Sequence, residues 1–274
     1  MGMNNKLKAI VALAVLGAAS QAHAAIQPGS TGNGDLFLTV WDSVAQVSYT
    51  KDLGASLNAF IATGNTVQTT SFNFASDANW TSFLSQVGGV SNPGLQWNVG
   101  ALDTTGGIGA GAQRFLSTSG NTLAQVKAQG NGNVQTGFST VNNFFTAVNS
   151  TGTHATLTDG SSVNAAADLV DAYSGTWYGN NWNNKAQGWT SAGSLDTSLN
   201  FFYISPSSNA PASKATVTQF GDAVTGNMGT WTVTSAGVAT YSVAAVSAVP
   251  VPAALWLLGS AMVGLVGVAR RKVA

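Results

Sequence analysis

The chain has 274 residues, only 7% of them charged, with ten Lys and Arg balanced by ten Asp and no Glu. Half of the bases sit at the two ends, so residues 25–248 hold ten Asp against five Lys and Arg, a net charge of −5 that leaves no cationic footprint for nucleic acid. Cysteine is absent, which excludes disulfides and leaves stability to core burial and backbone pairing.

In chain order, Lys6 and Lys8 precede the unbroken apolar run Ala9 to Ala19, and Ala22-His23-Ala24 follows as a small-x-small site. Charge, apolar run and small residues in that order predict a signal peptide over 1–24, with signal peptidase cutting between Ala24 and Ala25. Residues 25–248 draw most of their polarity from Ser, Thr and Asn. Seven Trp lie before residue 249, and apolar residues recur with clear periods, so this ectodomain folds rather than staying disordered.

Period-two alternation predicts strands. Leu36–Trp41 and Ala45–Thr50 flank Asp42-Ser43 as a hairpin, Thr66–Phe74 and Leu95–Val99 follow, and Leu199–Ile204 is rich in the aromatic residues that suit a pleated surface. Thr230–Val233 and Ala239–Val243 flank Ser235-Ala236-Gly237 as a second hairpin. Helical spacing occurs in three places: Asp77–Val87, with Ser76 or Asp77 as N-cap; Phe138–Val148; and Ser161–Tyr173. The Gly-rich runs Gly106–Gly111 and Gly130–Gly132 read as loops. The expected fold is mainly β: a sandwich-like antiparallel ectodomain with two or three short inserted helices.

The inventory for catalysis is thin. One His follows the signal peptide, His154, in a loop-like Ser150-Thr151-Gly152-Thr153 context that predicts a surface position. No Gly-x-Ser-x-Gly elbow occurs, and we assign no catalytic residue. Asp168 and Asp171 would share a helix face, as glycosidase acids can, though a solvated face explains them more simply. Asp35, Asp42 and Asp52 are oxygen ligands of the kind calcium takes, without a recognisable calcium-loop spacing. Calcium is thus the one cofactor considered, and no metal ligand is assigned. Gly107-x-Gly109-x-x-Ala112 reads as a flexible loop, since no βαβ unit surrounds it. The most site-like stretch is Trp177-Tyr178-Gly179-Asn180-Asn181-Trp182, followed by Trp189. Aromatic faces beside amides suit sugar rings, which makes Trp177, Tyr178, Trp182 and Trp189 the candidate glycan contacts; filling the core is the alternative.

The last 26 residues begin Val249-Pro250-Val251-Pro252-Ala253 and end in the basic cluster Arg270-Arg271-Lys272, followed by Val273 and Ala274. Pro250 and Pro252 lack amide donors and hold the backbone extended before the apolar stretch Ala253–Ala269. Those 17 uncharged residues would span roughly 26 Å as a helix, enough for a thin bilayer core. The basic cluster sets the cytoplasmic side.

Together the two ends resemble the bipartite architecture of PEP-CTERM proteins, in the variant whose motif reads Val-Pro-Leu-Pro-Ala, with Val251 at the variable position. The resemblance implies a Gram-negative exporter of exopolysaccharide, and an exosortase that recognises the tail, removes it and releases or attaches the protein at the surface. It divides the chain into a signal peptide (1–24), a secreted ectodomain (25–248) and a sorting signal with one transmembrane helix (249–274). A permanent single-span inner-membrane anchor is the alternative that sequence does not separate from cleavage. The function expected is that of a non-catalytic surface or matrix protein of biofilm or floc, partnered by signal peptidase, exosortase and exopolysaccharide, with no nucleic acid. A carbohydrate-binding module or adhesin is the second expectation, and a surface polysaccharide hydrolase the third.

Overall fold

A computed structural model describes residues 25–66, 69–106, 109–165, 191–222 and 226–243. All of them belong to the first of two units, Met1–Ala244; the second unit, Ala245–Ala274, lies outside the described residues.

The described elements run β1 (Asp35–Asp42), β2 (Val47–Ser56), α1 (Leu57–Thr63), β3 (Thr69–Asn73), α2 (Ala78–Val87), β4 (Leu95–Asp103), β5 (Arg114–Ser119), α3 (Leu123–Lys127), α4 (Asn131–Val148), β6 (Ser161–Ala165), β7 (Gly193–Ser194), β8 (Ser198–Ser205), β9 (Thr216–Gln219), β10 (Gly221–Asp222), β11 (Asn227–Thr234) and β12 (Val238–Val243). The fold is mainly β and antiparallel. One sheet runs in the order β3-β12-β11-β8-β5-β4-β1-β2-β6, with β7, β9 and β10 added at β4, β8 and β11. It is a single curled sheet rather than two stacked ones, which corrects the sandwich expectation. Its ends approach each other: Tyr49 on β2 stacks on Phe74 beyond β3 at 5.6 Å, and the Asn79 amide after β3 donates to the Ser161 carbonyl on β6 at 2.9 Å.

Alternation sends one set of side chains into the concave side. Leu38, Val40, Tyr49, Trp97, Phe201, Trp231 and Tyr241 are all fully buried there, closed over by Phe60 of α1 and by Trp80 and Phe83 of α2. Phe60 meets Phe201, Phe220 and Tyr241 edge-on at 4.9–5.3 Å, the arrangement that ring quadrupoles favour. Each ring removed from water contributes about 2–3 kcal/mol. On the convex side Phe37, Trp41, Phe115, Phe202 and Ile204 pack beneath α3 and α4. Strand β1 therefore buries both faces, which is why its sequence Leu-Phe-Leu-Thr-Val-Trp is apolar almost throughout.

Local chemistry explains the helix starts. The Ser56 hydroxyl accepts from the Ala59 amide and begins α1, Asp77 caps α2, and Thr122 with Gln125 forms a capping box on α3. Helix α2 matches its sequence expectation. Helix α4 starts seven residues before Phe138 and takes in Gly132, so the Gly130–Gly132 run is not a free loop. Asn131 fixes that start by donating from its amide to the Ser213 carbonyl and from its side chain to Ser208 and Ala210. Residues 161–165 correct the expected third helix, because they pair with β2 from Lys51 to Val47. Their polar side chains survive burial by bonding locally: Ser162 to Asn164, and Asn164 to Thr151. The rest of that expected helix, 166–173, lies outside the described residues. Among the described residues no helix is long and apolar enough to cross a membrane. The expected signal peptide and the expected span are not among them.

Candidate functional site

A polar cluster lies where the two ends of the sheet approach each other. Alternation along β2 points Tyr49 inward, and Asp77 stands opposite as the first turn of α2 begins. Asp77 Oδ1 accepts from the Asn79 amide and the Ser161 hydroxyl, each at 2.9 Å, and Oδ2 accepts from the Tyr49 hydroxyl at 3.0 Å. Burial, helped by the Asp77 charge, pushes the Tyr49 phenol far above its usual range. Lys51 adds its ammonium, donating to the Asp159 carbonyl at 2.6 Å, with the Asp77 and Asp159 carboxylates at 3.8 and 3.9 Å.

His154 packs beside this group and corrects the surface expectation, for it is fully buried. Neither ring nitrogen has a hydrogen-bond partner. Burial, and next the Lys51 charge, lower its pKa to about 4, so the imidazole is neutral across the physiological range. No hydroxyl or carboxylate among the described residues is bonded to it, so the atoms a proton relay would use are not engaged.

A second polar group occupies the start of β1. Asp52 is 2% exposed, and burial together with the nearby Asp35 charge raises its pKa to about 8, against the opposing Gly54 amide that donates to Oδ1 at 2.7 Å. Asp35 accepts from the Gln27 amide at 2.7 Å. Asp42 ends the same strand, roughly 23 Å away at the usual strand rise, where it accepts from the Val44 and Ala45 amides at 2.6 and 3.0 Å and from the Asn92 side chain. Asp35 and Asp52 thus meet while Asp42 does not, which separates the trio considered for calcium. Among the described residues no three His, Cys, Asp or Glu gather as a metal site. Nearby, Asp103 receives Arg114 through two nitrogens at 2.9 and 2.7 Å, and the same guanidinium reaches Asn58 and the Gly32 carbonyl. The Gly106–Ala112 stretch joins the antiparallel strands β4 and β5, a hairpin context foreign to a dinucleotide fingerprint; Gly107 itself is outside the described residues.

No family model matches the sequence, and no curated protein or solved structure is significantly similar to it.

The four candidate glycan contacts Trp177, Tyr178, Trp182 and Trp189 lie outside the described residues, as do Asp168 and Asp171, the cleavage residues Ala22 and Ala24, and the motif Val249–Ala253 with its basic cluster. Sequence reasoning missed a different aromatic recess. At the mouth of the curl, beside α1, Ile61, Asn65, Tyr203, Thr218 and Phe220 line a pocket of about 190 Å³. Tyr203 and Phe220 supply ring surface, while Asn65 and Thr218 supply an amide and a hydroxyl; such mouths are where curled sheets hold small ligands. The alternation of Leu199, Phe201 and Tyr203 on one side of β8 was its visible signal. What no local pattern carries is the meeting of α1, β8 and the β9–β10 segment.

Proposed function

We propose that the chain is an exported, non-catalytic protein of the cell surface or extracellular matrix, sorted by an exosortase and associated with exopolysaccharide. The observation that carries this reading is the tail: the Val249-Pro250-Val251-Pro252-Ala253 motif, one uncharged apolar stretch, and Arg270-Arg271-Lys272. A signal peptide over 1–24 exports the ectodomain, and residues 253–269 hold it at the inner membrane until the tail is cut. The bonding of several described ionisable groups supports the non-catalytic part: Asp42, Asp77 and Asp103 are tied into turns, a helix cap and an ion pair, and His154 is buried with neither ring nitrogen hydrogen-bonded.

Fractionation of the native host tests the reading. The wild-type protein is expected in the surface or matrix fraction, and a variant carrying Pro250→Ala and Pro252→Ala is expected to accumulate at the inner membrane. Wild-type protein confined to the inner membrane would contradict sorting and favour the permanent anchor.

The pocket at Tyr203 and Phe220 favours a second reading, a carbohydrate-binding module or adhesin, because stacking surface beside neutral hydrogen-bonding groups is what a sugar ring requires.

A further inference from the structure

The convex face of the sheet is divided. The half formed by β1, β4, β5 and the end of β8 carries Phe37, Trp41, Phe115, Phe202 and Ile204 beneath the helices. The other half, formed by β3, β12, β11 and the start of β8, carries two rows of small polar side chains in register, with Val238 beyond one row and the exposed Met228 beyond the other. One row across the four strands is Thr69, Ser242, Thr230 and Asn200. The next is Ser71, Thr240, Thr232 and Ser198. Strict alternation buries Tyr241, Trp231 and Leu199 beneath and leaves these rows partly or fully open to solvent. None of the eight is ionisable, and none belongs to either apolar core. Two hydroxyl pairs bridge neighbouring strands, Ser71 to Thr240 at 2.9 Å and Ser198 to Thr232 at 2.7 Å, and both are exposed. A hydroxyl offers one donor and two lone pairs, so each bridged pair keeps capacity for an outside partner.

We infer that this Thr/Ser/Asn face is a docking surface for an uncharged polysaccharide chain lying across the strands. The inference rests on the reading of the protein as polysaccharide-associated and names the surface and ligand class. Polar groups recur about every 4.8 Å across strands and about every 6.8 Å along them. The first spacing is close to the advance of one sugar unit in an extended glycan, so successive units meet successive strands. The rows bear no charge and residues 25–248 carry a net −5, so a neutral polymer fits where a polyanion would be repelled. A single neutral hydrogen bond to a sugar barely outcompetes water. Many in register bind a polymer by multivalency while holding a monosaccharide weakly.

The test uses the native protein from its host, with the neutral and the acidic polysaccharide fractions of that host's matrix immobilised separately. Thr232→Val with Thr240→Val removes two central hydroxyls while keeping β-branched shape. Thr232→Ala with Thr240→Ala serves as a second pair without added apolar surface, and Ser85→Ala on α2 is the control. The inference predicts retention on the neutral fraction, a loss of about tenfold or more in both double variants at unchanged melting temperature, and no loss in the control. Equal retention on the acidic fraction, or double variants that bind like wild type, would overturn it. Self-association that disappears in the variants, without polysaccharide binding, would overturn it too and identify a second copy as the occupant. Failure to bind either fraction, in protein whose tail has been removed, would overturn this surface and leave the sorting reading standing.

Discussion

His154 and Asp52 sit in the same buried end of the sheet with opposite titrations. His154 binds its proton near pH 6.5 when unfolded and near 4 when folded. The unfolded chain therefore holds the extra proton between those values, and this group withdraws stability as pH falls from about 6.5 to 4. Asp52 shifts from 3.8 to about 8, so the folded chain holds the extra proton and stability is lost as pH rises through that window. The two slopes oppose each other up to about pH 6.5, and Asp52 acts alone from there to about 8, a loss of about 2 kcal/mol. Urea midpoints at pH 4.5, 6.5 and 8 check this. Wild type is expected to weaken between the upper two, Asp52→Asn to lose that decline, and His154→Leu to weaken across the whole range. Parallel profiles in all three proteins would contradict the assignment. Little of this was legible beforehand. A His among Ser, Thr and Gly reads as exposed, and the Lys51 and Asp77 charges that act on the buried ring lie far off in the chain.

At the scale of elements, β6 depends on a turn that only glycine fits. Gly152 has φ 60°, and a Cβ there would lie 2.1 Å from the Ser161 carbonyl oxygen. Gly152→Ala is expected to cost more than about 1 kcal/mol and to speed hydrogen exchange at β2 and β6, leaving β11 and β12 protected. Equal acceleration in both pairs would mean that β6 is not a separate weak point. Elements with one buried face were readable: the hairpin of β11 with β12 shows the period of two, and α2 shows its Asp77 cap and its Trp80, Phe83 and Val87 spacing, while β1, buried on both faces, was readable from its apolar run. Elements whose burial is polar or set by distant partners were not. Ser-Ser-Val-Asn-Ala at β6 has no apolar stripe and is buried through side-chain hydrogen bonds, and α1 continues directly from β2, with Ser56 both the last residue of the strand and the cap of the helix.

For the whole molecule, antiparallel β character was legible, while closure into one curled sheet was not. Closure rests on contacts such as Tyr49 with Phe74 and Asn79 with Ser161, and no alternation pattern records which strands become neighbours. The same curl creates the pocket at Tyr203 and leaves the hydroxyl rows partly or fully open to solvent. Both place neutral polar groups at the surface, which accords with a protein that works among glycans after export. Export and sorting are central to that role, and the intact mass of the native protein from its host, with and without the exosortase, tests them most directly. The proposed role predicts a mass that begins at Ala25 and ends within or just before Val249–Ala253 only when the enzyme is present. A mass that retains Arg270-Arg271-Lys272 in both strains would contradict it and make the chain a permanent inner-membrane protein.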